Sequence, residues 1–301
     1  MDEKRMTVAV AQVGSTLFDT AATLRRVERY CRKAHAAGAA LVVFPEALLG
    51  GYPKGMTFGV SVGVRTAEGR EWFRRYAASA IAVPGPETRR LQELADELGL
   101  AIVIGVVERA GHTLFCTALT IWPGVPLRMH RKLMPTAAER YLWGMGDGST
   151  LGVADTPAGR IGTAICWENY LPAYRAFLYE QGVDLWCAPT VDDRPMWQIS
   201  MRHIAYEGRC FVLSACQHFT RADCPADYES VWPGAGADVL IRGGSLIVSP
   251  LGDVLAGPAD GETLLTACLD LDDIPRARFD LDVAGHYRRP DIFSLQVRAG
   301  R

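Results

Sequence analysis

The strongest constraint on this chain is the regular alternation of short β-branched apolar runs with helical stretches. MTVAVAQV (6–13) reads as a buried strand. Residues 20–37 then carry apolar positions at helical spacing as far as Gly38. ALVVFPE (40–46) reads as a second buried strand, stopped by Pro45, and GGYPKG (50–55) is a turn or loop by its glycines and proline. PETRRLQELADELG (86–99) reads as a helix that stops at Gly99. LAIVIGVVER follows as a strand, and Gly111 turns the chain into TLFCTALTIW. The second half repeats the rhythm. RIGTAIC, VDLWCAPT and CFVLSACQ read as strands; LPAYRAFLYEQG and RPMWQISMRHIAYEG read as helices, each with a proline (Pro172, Pro195) in its first turn. GGSLIVSPLGDVLAGP reads as two strands about a Pro-Leu-Gly turn. Such interleaving, with hairpins mixed in, predicts an α/β fold whose sheets are covered by helices. No Ser/Gly-rich linker, charge run or short repeat divides the chain, so residues 1–301 are expected to form one domain. The long irregular stretch 217–240 is expected to be a surface loop or an interface element.

Charge and cysteine pattern exclude several function classes. Lys and Arg number 32 against 34 Asp and Glu, a net charge of -2, so no nucleic-acid or anionic-membrane partner is expected. Arg25, Arg26, Arg29 and Arg32 cluster, but at helical spacing among Leu24, Val27 and Tyr30, and read as a solvated helix face. The eight cysteines contain no CxxC pair and no Cys/His set with zinc spacing, so no metal site is expected. MDEKRMTVAVAQVG has an apolar run broken by Gln12 and no small-residue cleavage site, and reads as a first strand rather than a signal peptide. No apolar stretch approaches the roughly 18 residues of a membrane span. A reducing cytoplasm is the expected location.

Chemistry concentrates where apolar runs stop. In GTAICWEN, Cys166 ends a strand-like run, and a helix follows within a few residues. Amides at a helix start favour thiolate over thiol and can hold a developing anion. The competing interpretation is a small buried hydrophobe. Cys187, Cys210, Cys216 and Cys268 lie in or beside strand-like runs and look like core, whereas Cys31 is on a helix and Cys224 in the loop. A thiol nucleophile needs a base. None of the six histidines has a diagnostic context. Glu46 follows LVVFP, where burial raises a carboxyl pKa and makes it a better base near neutrality, unless it is a capping or salt-bridged acid. Lys132, between PLRMHR and LMP, is either a fixed ammonium that stabilises charge or a surface cation. Strand ends converge on one edge of an α/β sheet, so the three side chains can meet.

The segments VVFPEALLGGYPKG, HRKLMPTAAERYLWGMGDGS, GTAICWENYLP, CAPTVDDRPMWQISMRHIAYEGRCFVLSACQ and GHYRRPDIFSL occur in that order between residues 6 and 297. Together they resemble a nitrilase of the carbon–nitrogen hydrolase superfamily. CWE and HRKLMP are similar to the nitrilase branch rather than to the amidase or carbamoylase branches, and the overall similarity leans toward plant-type and arylaliphatic nitrilases. TAAER departs from the commoner TGTER but keeps the acid and the arginine. The resemblance implies a four-layer α-β-β-α sandwich, commonly paired across subunits as a homodimer or higher homo-oligomer. The chain stops soon after DIFSLQV, so long spiral filaments are not expected. It also implies a Glu–Lys–Cys set at Glu46, Lys132 and Cys166, with a second glutamate, Glu139, that orients Lys132 or substrate. The implied activity is hydrolysis of an organic nitrile to the carboxylic acid and ammonia through a thioimidate and a thioester on Cys166, with no cofactor. Tyr52, Trp167, Thr190 and Trp197 flank the motifs and are the expected substrate-binding side chains. The rivals are an amidase or N-carbamoyl amidohydrolase with the same triad, a non-enzymatic oligomeric scaffold, and a redox cysteine protein. The intact triad argues against the scaffold and the lack of CxxC against the redox protein.

Overall fold

The structure, a computed structural model, describes residues 4–228, 231 and 238–298. Two six-stranded sheets organise it. The first has the order Thr263–Asp270, Arg5–Gln12, Ala39–Val43, Ala101–Ala110, Thr113–Trp122, Val125–Arg131. The second has the order Val254–Ala256, Leu246–Val248, Phe211–Cys216, Leu185–Thr190, Gly159–Thr163, Val153–Thr156. In each, three parallel central strands are flanked by antiparallel ones. Parallel neighbours need long crossovers, and the helices supply them. Thr20–Ala36 joins the first two parallel strands, and Pro86–Leu98 leads into the third. Pro172–Glu180 and Pro195–Gly208 do the same in the second sheet. Local chemistry sets the helix ends. The Asp19 carboxylate accepts from the Ala22 amide at 2.8 Å at one start, and Gly99 in the left-handed region (φ 60°) closes Pro86–Leu98.

The two-residue side-chain period distributes each strand between two layers. Val8, Val10, Leu41, Val43 and Val103 face Leu185, Cys187, Phe211, Leu213 and Ile247 of the other sheet. The alternate residues Ala9, Val42, Ile102 and Ile104 pack under Val27 and Tyr30 of Thr20–Ala36 and Leu91 and Leu94 of Pro86–Leu98. Trp186, Ala188, Val212 and Leu246 pack under Tyr174, Leu178, Met201 and Ile204. The strands are therefore buried on both faces, which is why they read as unbroken apolar runs. Burial is worth about 1.5–3 kcal/mol for each large aliphatic side chain, so the inter-sheet layer is what fixes one sheet against the other. The result is the α-β-β-α sandwich that the resemblance implies.

Several local expectations need correction. The RIGTAIC strand ends at Thr163, and Ala164 and Ile165 lead out of the sheet. Cys268 is exposed rather than core, because Thr263–Asp270 is an edge strand with one open face. Within 217–240, Phe219–Thr220 pairs with Val239–Ile241 and Tyr228 is buried; residues 229, 230 and 232–237 lie outside the described residues. Among the described residues no helix is long and apolar enough to cross a membrane, and no group of His, Cys, Asp and Glu is placed to hold a metal ion.

Candidate active site

Glu46, Lys132 and Cys166 each leave the end of a strand, the first two in one sheet and the third in the other. Glu46 follows Ala39–Val43. The Gly105 amide donates to the Pro45 carbonyl at 3.0 Å, and the Leu48 amide to the Gly105 carbonyl at 2.8 Å. A Cβ on Gly105 would lie 2.5 Å from the Glu46 Cα, so only glycine lets the neighbouring strand approach this closely. Gln217 adds a bond from its Nε2 to the Glu46 carbonyl at 2.8 Å. Lys132 follows Val125–Arg131 and is pinned by its amide bond to the Cys116 carbonyl at 2.8 Å. Cys166 opens the 3-10 turn Cys166–Tyr170 with φ 48°, in the left-handed region. That conformation costs an L-residue roughly 1–2 kcal/mol. Asn169 holds the turn closed: its Nδ2 donates to the Ala164 and Cys166 carbonyls at 2.9 and 2.7 Å, and its Oδ1 accepts from Trp186 Nε1.

The side chains meet in a dry centre. Lys132 Nζ donates to Glu46 Oε1 at 2.6 Å and to Glu139 Oε2 at 2.8 Å, and Lys132 and Glu46 have no solvent exposure. The Cys166 thiol is buried close enough to Glu46 for the carboxyl charge to act on it, and Thr190 Oγ1 donates to its Sγ at 3.2 Å. Glu46 Oε2 is buried with no hydrogen-bond partner among the described residues, an acceptor left over in a place where such groups are normally satisfied. Glu139 is fixed in turn by the Thr136 amide at 2.6 Å and the Tyr52 hydroxyl at 3.0 Å.

Burial pushes the Glu46 carboxyl above the ordinary carboxylate range, although Lys132 pulls against it. Burial and then the Glu46 charge push the Cys166 thiol well up. The expectation that helix-start amides favour a thiolate is therefore not met. The turn that begins at Cys166 is short, and desolvation beside a carboxyl outweighs it. For Lys132 burial opposes the charge, but the surrounding acidic groups, Glu46 foremost, outweigh burial and raise it well above the usual lysine value. The resting centre is thus a protonated sulfur beside a carboxyl and an ammonium. It can take the thiol proton during attack and stabilise negative charge as it develops.

The four expected substrate-binding residues separate. Tyr52 and Glu139 line a cleft of about 400 Å³ with Met56, Phe58, Val60, Leu142 and Trp143. Trp167, next to Cys166, is 40% exposed and donates from Nε1 to Asp192 Oδ2 at 2.9 Å. Thr190 is fully buried against the sulfur. Trp197 is not at the site: it is buried in the helix-covered layer of the second sheet, with Nε1 donating to Ser214 Oγ at 2.8 Å. Cys116 escaped the sequence reading, yet its Sγ donates to Glu46 Oε1 at 3.5 Å. The available signal was the hairpin of TLFCTALTIW with PLRMHR, whose register pairs Thr117 with Arg131 and so sets Cys116 beside Lys132.

Comparison with known proteins identifies the family and agrees with the fold. An aliphatic nitrilase of Sinorhizobium fredii is 55% identical over 290 residues, covering 96% of this chain and 94% of that protein. A bifunctional nitrilase/nitrile hydratase of Nicotiana tabacum is 54% identical over 295 residues, covering 96% of this chain and 85% of that protein. The solved NitFhit protein of C. elegans shares the fold, with a TM-score of 0.76 at 19% identity over 99% of this chain and 68% of its own. The pattern of the carbon–nitrogen hydrolases spans residues 7–279, from the first strand to beyond the last. With that span, relatives identical at more than half of their aligned positions and the same doubled sheet, the chain belongs to the carbon–nitrogen hydrolase family.

Proposed function

We propose that this protein hydrolyses an organic nitrile to the carboxylic acid and ammonia, with Cys166 as nucleophile, Glu46 as general base, Lys132 as the fixed positive charge and Glu139 as the group that holds Lys132. The observation that carries the proposal is the buried ion set of Lys132 with Glu46 and Glu139, with the buried Cys166 thiol within its electrostatic reach. Nitrile rather than another carbon–nitrogen bond is favoured by the relatives named nitrilases.

The resting thiol gives its proton to Glu46 as sulfur attacks the nitrile carbon. A carbon–sulfur bond forms, one carbon–nitrogen π bond breaks, and the nitrogen takes a proton to give a thioimidate. Lys132 faces the nitrogen as charge builds there, in a site where water does not screen it. Glu46, again unprotonated, removes a proton from water as the water adds to the same carbon. Glu46 passes that proton to the nitrogen, the hydroxyl proton of the tetrahedral intermediate follows it as the carbon–nitrogen bond breaks and the carbonyl forms, and ammonia leaves a thioester. A second water, deprotonated by Glu46, displaces the sulfur, which recovers its proton as the acid departs. Covalent capture splits one difficult hydrolysis into easier steps. Should the tetrahedral intermediate lose sulfur instead of nitrogen, the product is the amide, an outcome in keeping with the relative named a nitrile hydratase as well as a nitrilase.

Tyr52, Trp167 and Thr190 are the proposed substrate-side contacts, and the apolar lining of the cleft suits an aryl or alkyl substituent. The protein acts as a homodimer or higher homo-oligomer in the cytoplasm. Support for assembly is the exposed row Met196, Ile199 and Tyr206 on Pro195–Gly208. The eight free cysteines suit a reducing compartment.

The test is ammonia release from a panel of nitriles and their matched amides, with Cys166→Ala alongside. Nitrile turnover to acid by the wild type and none by the variant is the expected result. Retained nitrile hydrolysis in Cys166→Ala refutes the nucleophile, and turnover of amides alone refutes the nitrile assignment.

A further inference from the structure

Lys132 and Cys166 come from different sheets, so no backbone ladder fixes one against the other. One carboxylate bridges that gap. Glu168, 1% exposed, lies two residues after Cys166. Its Oε2 accepts from the Ile165 amide at 2.7 Å, immediately before the nucleophile. Its Oε1 accepts from the Leu133 amide at 2.7 Å, immediately after the lysine. Both oxygens also accept from His130 Nε2, at 3.1 and 3.0 Å. His130 lies on the strand that ends at Arg131, so two residues of the lysine-bearing segment and one of the cysteine-bearing segment converge on a single side chain.

We infer that Glu168, held by His130, is a positioning residue that sets the lysine-bearing strand end of one sheet against the cysteine turn of the other. Glu168 touches neither reacting group. Its chemistry fits the task because an ionised carboxylate is acceptor-only and three N–H donors converge on it. An amide in its place would turn an NH₂ group toward one of those donors. The His130 ring is itself seated, stacked on Tyr174 with ring centroids 5.5 Å apart, while the Tyr174 hydroxyl donates to the Thr163 carbonyl at 2.7 Å. The histidine thus gains a context that its place in the sequence does not advertise.

The turnover part of the test rests on the proposed nitrile hydrolysis; the thiol-labelling part does not. Glu168→Gln keeps the size and removes one of the two backbone anchors. A displacement of about 1 Å between reacting groups costs roughly 10²-fold in rate, so kcat on a nitrile that the wild type uses should fall about 100-fold, with KM within about threefold. Iodoacetamide labelling of Cys166, followed by peptide mass spectrometry across pH, should move to higher pH, because the ammonium is no longer held where it favours the thiolate. A folded Glu168→Gln protein, with wild-type near-ultraviolet dichroism, overturns the inference if it keeps kcat within threefold and the wild-type labelling profile. If Glu168→Gln does not fold, His130→Gln decides. It leaves both backbone bonds and loosens only the outer support, so about tenfold lower kcat supports the inference and unchanged kcat overturns it. If the wild type turns over no nitrile, the labelling profile alone decides the positioning role, and the two failures remain distinct.

Discussion

Replacing Lys132 by methionine tests the electrostatic logic of the site through folding rather than turnover. Lys132 has no exposure and sits 2.6 Å from one carboxylate oxygen and 2.8 Å from another. Methionine fills similar space but leaves Glu46 and Glu139 facing each other without a cation. Removing one partner of a buried ion pair costs about 3–5 kcal/mol, so at neutral pH the variant should lose stability of that order. The loss should also depend on pH. Burial already holds the Glu46 carboxyl above its ordinary range while Lys132 pulls it down, so loss of the lysine raises it further. A carboxyl with a raised folded-state pKa binds more protons folded than unfolded, between its unfolded and folded values. Stability therefore falls as pH rises through that window, by up to about 1.4 kcal/mol per pH unit. Urea unfolding at pH 5.5 and pH 7.5, followed by tryptophan fluorescence at one protein concentration, measures both effects. Lys132→Met should be markedly less stable than wild type at pH 7.5 and recover toward it at pH 5.5. The double variant Lys132→Met/Glu139→Gln, which removes one of the stranded charges, should regain part of the loss at pH 7.5. A single variant as stable as wild type at pH 7.5, or one whose deficit does not change with pH, refutes the claim that the ammonium compensates two buried carboxylates.

The pH profile of kcat/KM should show the base directly. Because burial raises Glu46, its carboxyl is protonated, and useless as a base, at pH values where a free glutamate is already ionised. The acid limb should therefore fall above the ordinary carboxylate range, and an acid limb at or below that range contradicts the assignment. Thr190→Val removes the hydroxyl that donates to Cys166 Sγ at 3.2 Å. A hydrogen bond to a group that becomes charged is worth about 1.5–3 kcal/mol, so steady-state assays should find kcat at least tenfold lower with the fold intact, and an unchanged kcat removes Thr190 from any part in activating the sulfur.

How much of this was visible in the sequence depends on how each residue is buried. The central strands were legible because both their faces are covered, and residues such as Val8 through Ala11 or Leu185 through Ala188 leave an unbroken apolar signature. Ala67–Ser79 was missed because it buries little beyond Gly69, Tyr76 and Ser79, and its charged residues, including the Arg74–Glu71 pair, interrupt the apolar spacing. The edge strand Thr263–Asp270 was missed for the same reason, being half exposed. Glu46, Lys132 and Cys166 stand out because each lies where an apolar run or an extended segment ends, but their convergence depends on two sheets packing face to face, which no local pattern encodes. Trp197 was misplaced because a tryptophan beside a motif looks the same whether it lines a cleft or fills a layer. The left-handed φ of Cys166 carried no glycine to announce it. The role of Glu168 depends on an amide 35 residues away.

The elevated thiol has a consequence for survival under oxidants. Peroxide attacks thiolate, and the ladder toward irreversible sulfinic and sulfonic acids begins with that first step. A sulfur that stays protonated until a nitrile carbon is in place has little standing reactivity to lose. Cys166 is 4% exposed and its thiol lies well above the usual range, whereas Cys268 sits open to solvent on an edge strand. Oxidation is therefore expected to start at Cys268, and the proposed nucleophile is spared by the same burial that would make it depend on Glu46.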